Sequence, residues 1–432
     1  MDLLEVVILV VSFIFLLVIG VPIAFSIGIS ALLTMLVGIL PLPAVTTLAQ
    51  RMATGLDSFA LLAIPFFILA GQLMNRGGIA ARLIDFAKAL VGMLPGGLAY
   101  VNILACMLFG AISGSAVAAA SAIGGFMTPR MVKEGYSRPF SAAVNITSST
   151  TGMLIPPSNI LIVYSLASGG VSIAALFLAG YIPGMLVGLA LMVMAGIFAY
   201  RNNYPVGDRV SLGVGLKKFV DAIPSLLLLV VVMGGIVSGI FTATEASAVA
   251  VLYTLILALG IYRQVTIKDL PDILLQTVMT TAIVMLLIGT SMGMSWVMSF
   301  ERIPQAVSEA LLAVSDNKIV ILIIINLILL FVGIFMDMTP AVLIFTPIFL
   351  PVVTNLGMDP THFGIIMVLN LCIGICTPPV GSVLFVGCGV AGISISQVIK
   401  PLMPLFGAMI VVLLLVTYIP ELSLWLPGYF GF

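Results

Sequence analysis

The backbone path of this chain is written twice. Pro156-Pro157 and Pro378-Pro379 lie 222 positions apart. The same offset of 222 separates Pro129 from Pro351, Gly135 from Gly357, Gly152 from Gly374, Gly170 from Gly392 and Ser172 from Ser394. Glycine reaches positive φ and proline cannot donate to a helix, so these residues constrain backbone geometry most. The segments that carry them, NITSSTTGMLIPPSN at 145–159 and MVLNLCIGICTPPVG at 367–381, are breaks inside long apolar stretches. A duplicated break of this kind points to a membrane transporter with a site near the bilayer midplane.

The apolar stretches define the solvent. Hydrophobic residues make up 62% of the chain and charged residues 7%, against about 25% charged in a soluble domain. So much apolar surface requires a lipid bilayer around it. The net charge is zero and no basic block is present, which argues against a nucleic-acid partner. No P-loop sequence occurs, so the chain does not hydrolyse ATP itself. Cys106, Cys372, Cys376 and Cys388 all lie in apolar runs and read as small hydrophobes. Cys372 and Cys376 are one helical turn apart, but no further ligand completes a zinc set. The single histidine, His362, stands beside a turn and is expected in a solvated loop. The opening MDLLEVVILV has no basic n-region or small-residue cleavage site, so it reads as a retained first span.

About 20 apolar residues cross a bilayer as a helix. Ten such spans are expected, near 4–20, 22–39, 58–75, 139–165, 173–200, 222–240, 244–262, 272–297, 363–387 and 401–420. Two further stretches, 96–129 and 318–352, are interrupted at Ser113-Gly114-Ser115 and at Asp337-Met338-Thr339-Pro340. Each reads as a re-entrant hairpin, which is tolerated only where it lines a cavity or is buried in protein. With the N-terminus outside, 13 of the 16 lysines and arginines, Arg209 among them, fall on the cytoplasmic side. Only Arg51, Arg302 and Lys318 fall outside, an asymmetry that favours this orientation. Five spans before the linker and five after it place both termini outside and invert the second repeat. The fold class expected is therefore all-α and polytopic: two inverted repeats, each of five transmembrane helices plus one hairpin. The division is 1–200, a cytoplasmic linker 201–221, and 222–432. Residues 78–92 and 303–316 look amphipathic and are expected along the interface, as arms holding a moving part or as surface connectors.

The polar residues at membrane depth form two clusters. The first combines Ser113, Gly114 and Ser115 with Asn145, Ser148, Ser149 and Gly152. The second combines Asp337, Met338, Thr339, Gly374, Cys376 and Thr377, with Met338 and Cys376 acting through their carbonyls. Hydroxyl, carboxylate and carbonyl oxygens suit a hard cation such as Na+. Between them, Thr150, Pro156, Pro157, Ser158, Asn159, Pro378, Pro379 and Gly381 are candidate contacts for a solute. Helix N-termini released by the breaks favour an anionic group there. A purely structural role stands beside this one, since Ser and Thr also bond back to the preceding helical turn. Asp337 is the sharpest candidate, because an ionisable group within a membrane segment is costly. It is also placed to cap a helix before Thr339-Pro340. Glu245 reads as a cap for the helix after Thr244.

These residues resemble the large membrane subunit of TRAP (tripartite ATP-independent periplasmic) transporters, the dicarboxylate-type M subunit. The resemblance rests on Gly234-Gly235-Ile236, Gly239 to Ala246, Ser113 to Ala116, Ile155 to Ser158, Met336 to Pro340 and Thr377 to Gly381. It implies a bacterial inner-membrane transporter with an elevator movement and sodium coupling. It also implies a small membrane partner subunit and a soluble periplasmic binding protein that delivers an organic acid, such as a C4-dicarboxylate, sialic acid or a sugar acid. Ala243 stands where that family is expected to carry proline, and Asn159 where an apolar residue is expected. A stand-alone sodium–anion symporter without a binding protein is the alternative within transport. A channel would need a continuous polar pore, and an intramembrane enzyme a nucleophile or acid pair that the chain lacks.

Overall fold

The computed structural model describes residues 3–205, 212–315 and 317–432. Arg209, Asp316 and the middle of the linker at 206–211 lie outside the described residues. The described chain is all-helical, with twenty α-helices, α1 (Leu3–Val18) to α20 (Glu421–Phe430). Among the described residues, eight helices are long and apolar enough to cross a membrane.

The helices sort into two bodies by what they pack against. A frame is built from α1, α2 (Ile23–Gly38), α3 (Pro41–Leu56), α4 (Ala63–Arg76), α11 (Leu212–Val237), α12 (Ala243–Leu255) and α13 (Leu270–Phe300). A core is built from α6 (Gly97–Ser113), α7 (Ala116–Lys133), α8 (Arg138–Ser149), α9 (Asn159–Ala167), α10 (Ile173–Arg201), α15 (Lys318–Phe335), α16 (Met338–Asn355), α17 (Pro360–Gly374), α18 (Ser382–Ala391), α19 (Ile395–Tyr418) and α20. Two amphipathic helices, α5 (Ile79–Val91) and α14 (Ile303–Val314), lie between the bodies. Helix α5 joins α11 to α6, while α14 touches α13 and α16. Lys218 and Asp85 pair at 2.5 Å across α11 and α5.

Local chemistry sets the helix ends. Gly114 takes positive φ (60°) between the arms of the first hairpin, a conformation that costs other residues a steric penalty. Ser115 then opens α7 by accepting from the Ala118 amide at 3.2 Å. Thr242 and Glu245 form a reciprocal capping box, so α12 starts at Ala243, two residues before the expected start after Thr244.

Two segments expected as single spans, 139–165 and 363–387, are each two half-helices. Helix α8 ends at Ser149, a short 3₁₀ turn covers Thr151–Met153, and α9 starts at Asn159. Helix α17 ends at Gly374 and α18 starts at Ser382. The diprolines lie in both gaps, and four missing amide hydrogens there leave no helical ladder to continue. Helix α3, helix α20 and a π-helical turn at Ile256–Ile261 were not expected from the sequence pattern.

The half-helices interlock. Helix α9 packs on α16 of the second hairpin, and α18 packs on α7 of the first. Tyr164 in α9 donates to the Pro360 carbonyl at the head of α17, at 2.6 Å. Arg138 at the head of α8 donates to the Ala391 carbonyl at the tail of α18, at 3.3 Å. Residues 138 and 360 are themselves 222 apart, so each stitch ties down the head of the corresponding core helix.

Two close backbone crossings hold the hairpins down. A methyl on Gly152 would lie 2.2 Å from the Gly110 Cα, and one on Gly374 would lie 2.5 Å from the Gly333 Cα. Amides bind the same surfaces. Asn102 donates to Ser148 Oγ at 3.1 Å, and Asn370 donates to Asn326 Oδ1 at 2.8 Å. Asn326 continues to Thr417 Oγ1 at 3.1 Å. Replacing Asn370 by Ala strands a buried acceptor on Asn326, which costs about 2 kcal/mol. Thermal unfolding in detergent should show that loss, and an unshifted melt would mean the amide ladder is dispensable.

His362 is not the solvated loop residue expected. It is buried in the first turn of α17, with Nε2 3.4 Å from the Thr417 carbonyl. The turn residues Gly357 and Asp359 beside it are exposed, and only the imidazole turns inward, toward α19.

Candidate functional site

One cavity of about 210 Å³ gathers both hairpin tips, both post-break half-helices, and the frame helices α4 and α13. The first tip contributes Ser113, Gly114 and Ser115, and the second Asp337, Met338 and Thr339. Asn159 and Ile160 of α9 and Ser382 and Val383 of α18 complete the core wall, with Met153 and Ile375 from the breaks.

Four helices start at this cavity: α7 after Ser115, α9 after Ser158, α16 after Asp337 and α18 after Gly381. Each start carries backbone N–H groups without intrahelical partners and a partial positive charge. The C-terminal residue of α6, Ser113, brings a carbonyl end to the same space, while the Ile375 carbonyl after α17 accepts from the Val383 and Leu384 amides at 3.2 and 3.4 Å. The site thus offers anion-favouring and cation-favouring backbone side by side. Two polar atoms on its wall, Ser113 Oγ and Asn159 Oδ1, are buried with no hydrogen-bond partner in the protein. Asp337 is the only ionisable side chain on the wall. Its side chain makes no capping hydrogen bond in α16, while Oδ1 accepts from Ser382 Oγ at 3.4 Å. A methyl on Gly71 of α4 would stand 3.0 Å from the Ser113 carbonyl. That glycine lets the frame close onto the first tip.

The remaining sequence candidates lie behind this wall. Ser148, Ser149 and Thr150 donate to the carbonyls of Val144, Ile146 and Thr147 at 2.7, 2.8 and 2.9 Å. Thr377 donates to Ile373 at 2.7 Å and Ser158 to Met153 at 2.5 Å. Asn145 donates to the Ala120 carbonyl at 2.8 Å, binding α8 to α7. Cys376 donates to the Ile146 carbonyl at 3.4 Å, and Cys372 to Thr150 at 3.5 Å, so both thiols join the two repeats. Gly152 and Gly374 are taken up by the backbone crossings. The diprolines and Gly381 shape the breaks without lining the cavity.

The frame residues Gln72, Asn75 and Thr280 and the core residue Ser382 were absent from the sequence candidates and do line the cavity. A signal for two of them existed. Ile64, Ile68, Gln72 and Asn75 share one helical stripe, in which two amides interrupt an apolar span.

Among the described residues no group of three or more His, Cys, Asp or Glu could hold a metal ion. Lipid-length helices, interlocked broken helices and one polar cavity between a frame and a core together define a multi-pass membrane protein, and the family it matches is one of transporter permeases. The chain belongs to the Tripartite ATP-independent periplasmic transporter, DctM component family, whose profile matches residues 10–422.

It is 59% identical over 97% of its length to the protein YgiK of Salmonella typhimurium, covering 96% of that protein. It is 42% identical to the C4-dicarboxylate TRAP transporter large permease DctM of Pseudomonas aeruginosa, over 94% of each chain. It is 40% identical to the sialic acid TRAP transporter large permease SiaM of Vibrio cholerae, over 95% of this chain and 96% of that one. In fold it is similar to the Alcanivorax borkumensis YdaH transporter, with a TM-score of 0.62 and 13% identity, covering 90% of this chain and 89% of the other.

Proposed function

We propose that this chain carries out secondary active, sodium-coupled uptake of an organic acid across a bacterial inner membrane, with both termini periplasmic. In this proposal it works with a small membrane subunit and receives its solute from a periplasmic binding protein. The repeats, expected as 1–200 and 222–432 about the linker 201–221, are inverted, with α11 of the second repeat already begun at Leu212, and the core moves against the frame as an elevator. The single observation that carries this reading is the shared cavity. Both halves of the chain present a tip and a half-helix to it, and a carboxylate is its only ionisable side chain.

Na+ sits where oxygens converge at each tip. Ser113 and Ser115 supply hydroxyls on one side, and Asp337 and Thr339 supply oxygens on the other. Asn145, Ser148, Ser149, Gly152, Met338, Gly374, Cys376 and Thr377 contribute backbone carbonyls or hold those carbonyls in place. The solute's carboxylate lies between the sites, against the helix starts at Asn159 and Ser382, with Thr150, Pro156, Pro157, Ser158, Pro378, Pro379 and Gly381 shaping the space. A relative named for C4-dicarboxylates and another named for sialic acid are almost equally similar to this chain. Overall identity therefore supports the organic-acid class without choosing between them.

The test is uptake of labelled organic acid into proteoliposomes holding the complex. Accumulation should require an inward sodium gradient and the binding protein together. Equal uptake in potassium would remove the coupling, and equal uptake without the binding protein would favour a stand-alone symporter. Ser115→Leu fills the first tip and should cut sodium-driven uptake at least tenfold. Ser115→Ala loses the helix cap, worth about 1 kcal/mol, and one hydroxyl ligand but leaves the tip open, so it should lose less uptake than Ser115→Leu. Equal activity in the two variants would argue against an ion at this tip.

A further inference from the structure

The cavity has two unlike walls. The core wall carries the helix starts and Asp337. The frame wall consists of α4, through Ile64, Ile68, Gln72 and Asn75, and α13, through Thr280 and Val284. Arg76 and Asp272 pair at 2.6 Å, which sets the tail of α4 beside the head of α13. The polar members of both stripes, Gln72, Asn75 and Thr280, therefore lie toward that ion pair. The apolar members, Ile64, Ile68 and Val284, lie away from it. Two helices running in opposite directions thus agree on one polar end. Among the described residues neither the Gln72 nor the Asn75 amide has a protein hydrogen-bond partner.

We propose that Gln72 and Asn75 are specificity-determining residues that read a second oxygen function on the solute, a hydroxyl or a second carboxylate. The proposal rests on the organic-acid reading of the same cavity. The core wall takes the first carboxylate at its helix starts. No basic side chain lines the cavity, so the far end of the solute meets neutral amides only. A primary amide both donates and accepts, so it suits a hydroxyl and a carboxylate alike. A site built to hydrogen-bond a group rejects the analogue that lacks it, because its own polar atoms stay unpaired. The inferred solute is an organic acid that carries a hydroxyl or a second carboxylate beyond the carboxylate held at the core wall.

The test is calorimetric binding of L-malate and butyrate to the purified full chain in sodium chloride. Wild-type protein should prefer L-malate to butyrate by at least tenfold. Gln72→Met and Asn75→Leu keep side-chain volume and remove the amide. Each should shrink the preference for L-malate roughly tenfold, with the ligand-free melting temperature unchanged. A preference retained in both variants, or binding of neither probe, would overturn the proposal. L-malate binding that is equally strong in potassium chloride would count against sodium coupling and leave the amide assignment standing.

Discussion

Asp337→Asn should lower sodium-driven accumulation roughly a hundredfold while the protein still inserts and folds. The carboxylate is the only ionisable side chain on the cavity wall, and it spends no capping bond on its own helix. Its charge is thus available to a bound cation. A hydrogen bond or contact to a charged partner is worth about 1.5–3 kcal/mol, and 2.7 kcal/mol is about a hundredfold at room temperature. Asparagine matches aspartate in shape and is as good at a helix start, so the melt should stay within about 0.5 kcal/mol of wild type. Uptake and thermal unfolding measured on one preparation separate the two effects. Full sodium-driven activity in Asp337→Asn would show that the carboxylate is dispensable.

Gly152→Ala and Gly374→Ala should be among the most destabilising single-methyl changes in the chain. The new methyl on residue 152 would lie 2.2 Å from the Gly110 Cα, 2.4 Å from its carbonyl carbon and 2.8 Å from the Ala111 nitrogen. On residue 374 it would lie 2.5 and 2.7 Å from the Gly333 Cα and carbonyl carbon. Every one of these neighbours is backbone, so no rotamer change relieves the clash. Overpacking a core costs about 1–3 kcal/mol, and a backbone-on-backbone clash belongs at or above about 3 kcal/mol. The hairpins would lift from the broken helices, and transport should fall with stability. Gly125→Ala is the control. It lies inside α7 with nothing within 4 Å of the added methyl, so it should be neutral or gain up to about 1 kcal/mol. Thermal unfolding and folded yield read both changes. A wild-type melt for Gly152→Ala would mean that the crossing is looser than described.

What could be read from the sequence follows from which residues act locally. Gly114 and the diprolines act on their own backbone, so the first tip and both breaks were visible as spacing. The alternation of charge with apolar residues exposed α5 and α14 for the same reason. Side-chain direction was hidden. The run from Asn145 to Thr150 looks like a bed of ligands, yet its hydroxyls bond back to their own helix, which a sequence leaves open. His362 was misplaced because its burial depends on Thr417, 55 residues away. Gln72 and Asn75 were passed over because a span with two amides still reads as a span. Only the approach of α4 to the first tip, through Gly71, makes them part of the site.

Thiol protection at both tips tests the central claim most directly. All four native cysteines are buried, so the background labelling should be low. Ser115→Cys and Thr339→Cys, made separately, each place a thiol on the cavity wall, one from each half of the chain. A small alkylating reagent should label both in potassium chloride. Sodium chloride with L-malate should slow labelling of both to the same extent, because one solute and its ions fill one shared space. Protection of one tip alone, or of neither, would contradict a single site built from both halves.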